Sequence, residues 1–135
     1  MEKLLFTKSI LKERLPNENR LISVMSRHTL EDGITPDERI IEGVSFDEWK
    51  VEFAPPAKLV WAYYRKEISW EEYEEKYLEF LRSKEIIKEV ISFAKRCVEE
   101  IITLECIEET AEKCHRRVFA EELQRHQSEL KIVHL

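Results

Sequence analysis

Apolar positions fall into short aliphatic or β-branched runs toward the two ends of the chain, with helically spaced stripes between them. Leu4, Leu5, Phe6 and Thr7 suit a short buried strand, and residues 21–26 suit a second. Residues 31–42 carry Gly33 and Pro36 and read as a connection, in which Thr35-Pro36-Asp37-Glu38 places proline at the start of a brief helical turn. Ser45-Phe46-Asp47-Glu48 has the form of a capping box and predicts a short helix, stopped by Pro55-Pro56. Pro56 begins the next helix, over residues 57–65. Ser69-Trp70-Glu71-Glu72 is a second capping box, opening a helix to about Arg82 whose Trp70, Tyr73, Tyr77, Phe80 and Leu81 form an apolar stripe. Ser83 then caps a helix over residues 84–97.

The next stretch supports two readings. Ile86, Val90, Ala94, Cys97 and Ile101 recur at helical spacing, and no Gly or Pro follows Ser83, so one helix could run from Lys84 past Cys106. Helices beyond ~25 residues are unusual in a compact domain, and the run Ile101-Ile102-Thr103-Leu104 suits a strand. The expectation is therefore a central strand over residues 101–104 with Cys106 at its carboxyl end. A polar loop and a helix to about Gln127 follow, the helix carrying Val118, Phe119, Ala120 and Leu123 on its inner face. Residues 131–134 read as a last strand. The order ββααααβαβ predicts an α/β fold: a small, mainly parallel sheet of about four strands with helices around it, as a single domain over residues 1–135.

Length and composition agree with that reading. A chain of 135 residues that is 43% hydrophobic can build one core. With 28 acidic against 22 basic residues the formal charge is −6, which argues against a general binder of nucleic-acid backbones. Asn and Gln are scarce, a balance that matches thermophile usage and equally a helix-rich surface. Three cysteines, clustered late in the chain, do not form a secreted disulfide framework, although a Cys106–Cys114 disulfide is compatible with a thermophile. There is no signal-peptide pattern and no apolar run near ~18 residues, so a soluble cytoplasmic protein without membrane attachment is expected.

Candidate chemistry concentrates between Cys106 and Arg117. Cys114 at a helix start would have its thiolate favoured by backbone amides, with Arg116 and Arg117 adding positive potential. It is the leading nucleophile or redox thiol, and it is expected to face solvent or a pocket. His115 is the candidate base, although neighbours on a helix point about 100° apart. Lys113, Arg116 and Arg117 oppose the helix dipole. An anion at the helix end would resolve that conflict, and ion pairing by Glu108, Glu109 or Glu112 would do so equally. Arg27 and His28, following the second strand, are expected to line the same crevice. Cys106, Cys114, His115, Glu108 and His28 include zinc-ligand types, but the Cys106–Cys114 spacing is wider than paired zinc ligands use, so no metal ligands are assigned. The spacings to Arg116 also exclude a C-x5-R phosphate loop. Cys97 reads as core.

Cys106, Glu108, Cys114, His115 and Arg116 form the pattern C-x-E-x5-C-H-R, which resembles the signature of the domain of unknown function 488 family. Trp49-Lys50, Phe53-Ala54-Pro55, Trp61, and Trp70 with Tyr77 are similar to that family's tryptophan-containing segments. The resemblance covers residues 21–123 and implies an α/β fold with a small, mainly parallel sheet; it implies no activity. Many members carry an aspartate before the arginine that follows an early strand. Here Val24-Met25-Ser26-Arg27-His28 keeps an arginine and lacks the aspartate.

The sequence thus points to a small-molecule or anion-binding site at the Cys106–Arg116 loop, with thiol-dependent catalysis as its chemistry if it is an enzyme. The alternatives are a protein-interaction module presenting the aromatic helices of residues 49–81, and a zinc-binding module. It identifies no cofactor, substrate or oligomeric state.

Overall fold

The computed structural model describes residues 2–135. Its centre is a five-stranded, wholly parallel sheet in the order β3-β2-β4-β1-β5. The strands are β1 (Lys3–Ser9), β2 (Arg20–Ser23), β3 (Glu48–Trp49), β4 (Ile102–Cys106) and β5 (Leu130–His134). The helices are α1 (Ala57–Tyr64), α2 (Trp70–Leu81), α3 (Ile87–Glu99) and α4 (His115–His126). The sheet therefore has one strand more than expected, and the extra one, β3, is two residues long. No helix among the described residues is long and apolar enough to cross a membrane.

The β-branched run resolves as a strand. At Glu100 the backbone turns extended, at φ −144° and ψ 157°, which ends α3 and starts β4. All five residues of β4 are buried between β2 and β1. One face of the sheet carries Leu5, Ile22, Ile102 and Leu104. It packs against Tyr77 and Leu81 of α2, Phe93, Ala94 and Cys97 of α3, and Phe119 and Leu123 of α4. The opposite face is polar at its centre. The Lys8 ammonium lies 2.9 Å from Glu18 and 4.0 Å from Glu105, and all three side chains are buried.

Strand order places a topological switch at the carboxyl ends of the central strands. The connection leaving β1 crosses β4 to reach β2, whereas that leaving β4 runs through α4 and crosses β1 to reach β5. In open parallel sheets ligands bind outside the carboxyl ends of strands at such a point.

Four local expectations are corrected. Ser45-Phe46-Asp47-Glu48 does not open a helix; it leads into β3 and a 3-10 turn, Val51–Phe53. Its polar groups have other partners. The Ser45 hydroxyl accepts from the Ile41 amide at 3.0 Å, Asp47 accepts from Arg14 and from the Leu21 amide, and Glu48 pairs with Arg96. Thr35-Pro36-Asp37-Glu38 forms no helical turn. Asp32 instead accepts from the Ile34 and Thr35 amides, both at 2.9 Å, and closes a loop there. The second strand ends at Ser23 rather than Ser26. Ser83 does not cap α3: its hydroxyl donates to the Phe80 carbonyl, and the helix starts at Ile87. Ser69 does cap α2, accepting from the Glu72 amide at 3.1 Å.

Candidate functional site

Cys106 is the last residue of β4, and beyond it the chain loops through residues 107–113 to α4. A cavity of about 960 Å³ opens above the carboxyl ends of β2 and β4. Cys106 and the three residues after it line one side, and residues 25–27 and 29–32 line another. Val60, Trp61 and Tyr64 of α1, Tyr73 of α2, Asp37, Arg39 and His115 complete the wall.

Cys106 and Cys114 are joined as a disulfide. Cys114 is buried rather than facing solvent, and it does not line the cavity. This corrects the expectation that it would be the accessible thiol. The reason is local. Cys114 is the residue before α4, in extended conformation at φ −136° and ψ 139°, with its amide donating back to Ala111. Its side chain therefore leaves the backbone toward the sheet, where Cys106 ends β4. Cys97, the third cysteine, is buried in the core, and burial pushes its thiol up to about 12.

Arg116 is fully buried. One guanidinium nitrogen donates to the Glu108 carbonyl at 2.7 Å, to Cys106 Sγ at 3.1 Å and to Cys114 Sγ at 3.5 Å. Nε donates to Thr7 Oγ1 at 3.4 Å, and the second terminal nitrogen to the Glu109 carbonyl at 3.5 Å. Among the described residues no carboxylate lies within ion-pairing distance of it. Burial lowers its pKa, but a guanidinium remains charged. A buried cation is costly unless paired, and here two sulfurs stand where a counter-anion would. Arg117 resolves its conflict with the helix dipole differently, pairing with Glu74 and Glu121.

His115 begins α4, and its Nε2 lies 2.8 Å from the Val24 carbonyl. A carbonyl only accepts, so Nε2 carries the proton and Nδ1 the lone pair. Burial holds its pKa down at about 4, so the ring is neutral at pH 7. The two sulfurs and one ring nitrogen of His115 lie within 4.8 Å of one another. These three are among the zinc-ligand types the sequence offers; the wide Cys106–Cys114 spacing argues against their grouping, which arises because Cys114 is not helical.

The other candidates divide. Arg27 lines the cavity, its guanidinium carbon 4.3 Å from the centroid of Trp61, with no ion-pair partner among the described residues. Glu108 lines it too, its carboxylate accepting from the Tyr64 hydroxyl at 3.3 Å. His28 is turned away from the cavity. It stacks on Trp49 at 4.0 Å, packs against Phe46, and shares a 2.7 Å hydrogen bond with Ser23. Burial lowers its pKa to about 4.

Most residues of the cavity wall were not singled out as site residues, and Trp61, Asp37 and Arg39 are the clearest cases. Trp61 reads from sequence as core or interface, and its half-buried ring instead supports Arg27. Asp37 and Arg39 pair with each other at 2.7 Å on the wall, and the local pattern holding Asp37 reads as a helix start rather than a site.

Residues 5–127 match a family model described as the active DUF488-N3 subclade. Neither a curated protein nor a solved structure matches the chain.

Proposed function

Since the chain belongs to the DUF488 family, whose matched span includes every residue of this crevice, we propose that it is a thiol-dependent small-molecule site. In this reading Cys106, in the reduced protein, is the reacting group, and Arg27 receives an anionic group of the ligand. The reading rests on one observation: a buried guanidinium without a carboxylate partner donates to the sulfurs of Cys106 and Cys114. An adjacent cation favours the thiolate, which is the nucleophilic form. Of the two cysteines, only Cys106 borders the cavity. The nucleophile is therefore placed at the strand end rather than at the helix start. Arg27 supplies a cation on the same cavity, held over Trp61 and free of ion pairs among the described residues. The description of the matched family model as an active subclade agrees with an enzymatic role.

The test is alkylation of the reduced protein across pH, resolved by mass spectrometry. Cys106 should label well before Cys97, with an apparent pKa below the free-thiol value of about 8.5. Arg116→Ala should raise that pKa. Sulfate should slow the labelling, and Arg27→Ala should remove this protection while leaving the pKa in place. Labelling of Cys106 as slow as that of Cys97 would overturn the proposal.

A second reading, a zinc site on Cys106, Cys114 and His115, is favoured by their grouping within 4.8 Å. It offers three ligands where structural zinc uses four, and the Arg116 guanidinium beside both sulfurs opposes a dication. One equivalent of zinc retained by the reduced protein through dialysis would favour it over the first.

A further inference from the structure

We infer that Cys106 and Cys114 form a two-electron redox couple that reduces small hydroperoxides, Cys106 taking the oxygen and Cys114 closing the disulfide. The inference rests on the reading of Cys106 as the reactive thiol and adds the reaction and the role of its partner.

Three observations carry it. First, the two sulfurs meet at bonding distance in the folded chain, eight residues apart in sequence. Both side chains are buried, so the pairing is internal to the site and needs no second chain. Second, position divides the roles. Both cysteines are buried, but Cys106 ends β4 among the residues that line the cavity and Cys114 does not, so an oxidant that reaches the pair from the cavity meets Cys106 first. Third, the same guanidinium nitrogen donates to both sulfurs, at 3.1 and 3.5 Å. It favours the thiolate of whichever cysteine is deprotonated, before attack and again after reduction.

The chemistry balances as follows. The Cys106 thiolate attacks the distal oxygen of a hydroperoxide; the O–O bond breaks, an S–O bond forms, and the alcohol leaves after taking one proton. Cys106 is then a sulfenic acid. Cys114, as thiolate, attacks the Cys106 sulfur; the S–O bond breaks, the S–S bond forms, and hydroxide leaves as water with the proton that Cys114 gave up. Sulfur has lost two electrons and the peroxide has gained them. A small thiol reductant completes the cycle through a mixed disulfide, two reductant thiols becoming one disulfide while both cysteines are restored. The oxidised state leaves Arg116 buried beside two neutral sulfurs, and reduction returns an anion to it. The electrostatics of the site therefore favour return to the dithiol.

Cys97 serves as an internal control. It lies in the helical core, and burial raises its thiol pKa, so it should take no part.

The experiment uses the full chain, reduced, desalted and exposed to one equivalent of hydrogen peroxide. Two of the three thiols should disappear with the loss of two hydrogens in mass, and peptide mapping should find Cys106 joined to Cys114 with Cys97 free. In Cys114→Ser and Cys114→Ala the reaction should stop at a sulfenic acid on Cys106, trapped by dimedone. Cys106→Ser should react no faster than free cysteine. The couple is overturned if wild-type protein reacts no faster than free cysteine, or if oxidation forms intermolecular disulfides instead. Fast alkylation of Cys106 together with slow peroxide reaction overturns the couple alone. Slow alkylation overturns the thiol site with it. Because the wild-type arm stands by itself, a variant that fails to fold does not remove the test.

Discussion

The Tyr77 hydroxyl donates to the backbone carbonyl of Phe53, 2.5 Å away, from a side chain with no solvent exposure. The bond ties the middle of α2 to the turn that precedes α1, and the ring of that same Phe53 stacks on Phe93 and Phe119. The aromatic stripe of α2 is thus turned inward, with Tyr73, Tyr77 and Leu81 buried and Trp70 packed at its edge. Tyr77→Phe should cost about 1–3 kcal/mol, because it strands a buried carbonyl. Tyr77→Ala should cost about 3–5 kcal/mol. Urea unfolding measures both. Values within 0.5 kcal/mol of wild type would mean that the stripe is exposed in solution and available to a partner.

Glu105 should make stability depend on alkaline pH. Its carboxylate is buried, neither oxygen has a hydrogen-bond partner, and Lys8 is 4.0 Å away and already bonded to Glu18. Burial pushes its pKa up to about 9 from 4.5. The folded state therefore keeps a proton that the unfolded chain gives up. That contribution is full below pH 4.5 and is lost as pH rises through 9. His28 and His115, held down at about 4, act in the opposite sense, losing stability as pH falls from 6.5. The window from pH 7 to 8 isolates the glutamate, because above it the raised Cys97 thiol adds a loss of the same sign. There, unfolding free energy of the oxidised protein should fall by up to about 1.4 kcal/mol per pH unit. Glu105→Gln should flatten the slope; an unchanged slope in that variant would assign it to another group.

Gly33 and Gly43 make a matched pair. Both have positive φ, +74° and +83°. A Cβ on Gly33 would meet Trp61 at 3.3 Å, whereas one on Gly43 would meet nothing within 4 Å. Each alanine substitution should cost roughly 1–2 kcal/mol for the left-handed backbone. Only Gly33→Ala should also shift Trp61 fluorescence and weaken sulfate protection of Cys106, because it presses on the ring beneath Arg27. Equal fluorescence in the two variants would sink this account.

Ser69→Ala should destabilise by about 0.5–2 kcal/mol, the range for a lost helix cap. Thermal unfolding with the circular dichroism signal of helix checks it, and no change would mean that the bond to Glu72 is broken in solution.

The two capping-box motifs show what could be read in the chain and what could not. Ser69 and Ser45 stand in near-identical patterns, yet only Ser69 starts a helix. What separates them is distant: Asp47 is held by Arg14, and Glu48 by Arg96. Local pattern cannot see partners thirty or more residues away, and for the same reason β3 was not foreseen. The strands β1, β4 and β5 and the helices α1, α2 and α4 were legible because their own residues bury one face each. In the candidate site, the carboxyl end of β4 followed from position, whereas the burial of Arg116 did not. Nor did the meeting of the two cysteines, since it depends on one residue, Cys114, lying just outside the helix. Trp61 was visible only as an aromatic, because its use depends on Arg27 arriving from another loop.

The parallel order of the sheet has a consequence for how the chain is made. Leu5 of β1 pairs with Ile102, and Lys3 with Leu130, while Leu21 of β2 pairs with Thr103. During synthesis at about 5–20 residues per second, β1 therefore waits for roughly a hundred residues before any strand can join it. For those seconds an apolar strand is unpaired along both edges and open to aggregation or chaperone capture. The arrival of β4 closes one of those edges, since it inserts between β1 and β2 and pairs with both, and β5 closes the other. Slowing translation ahead of β4 would lengthen the vulnerable interval without altering a single contact of the finished protein.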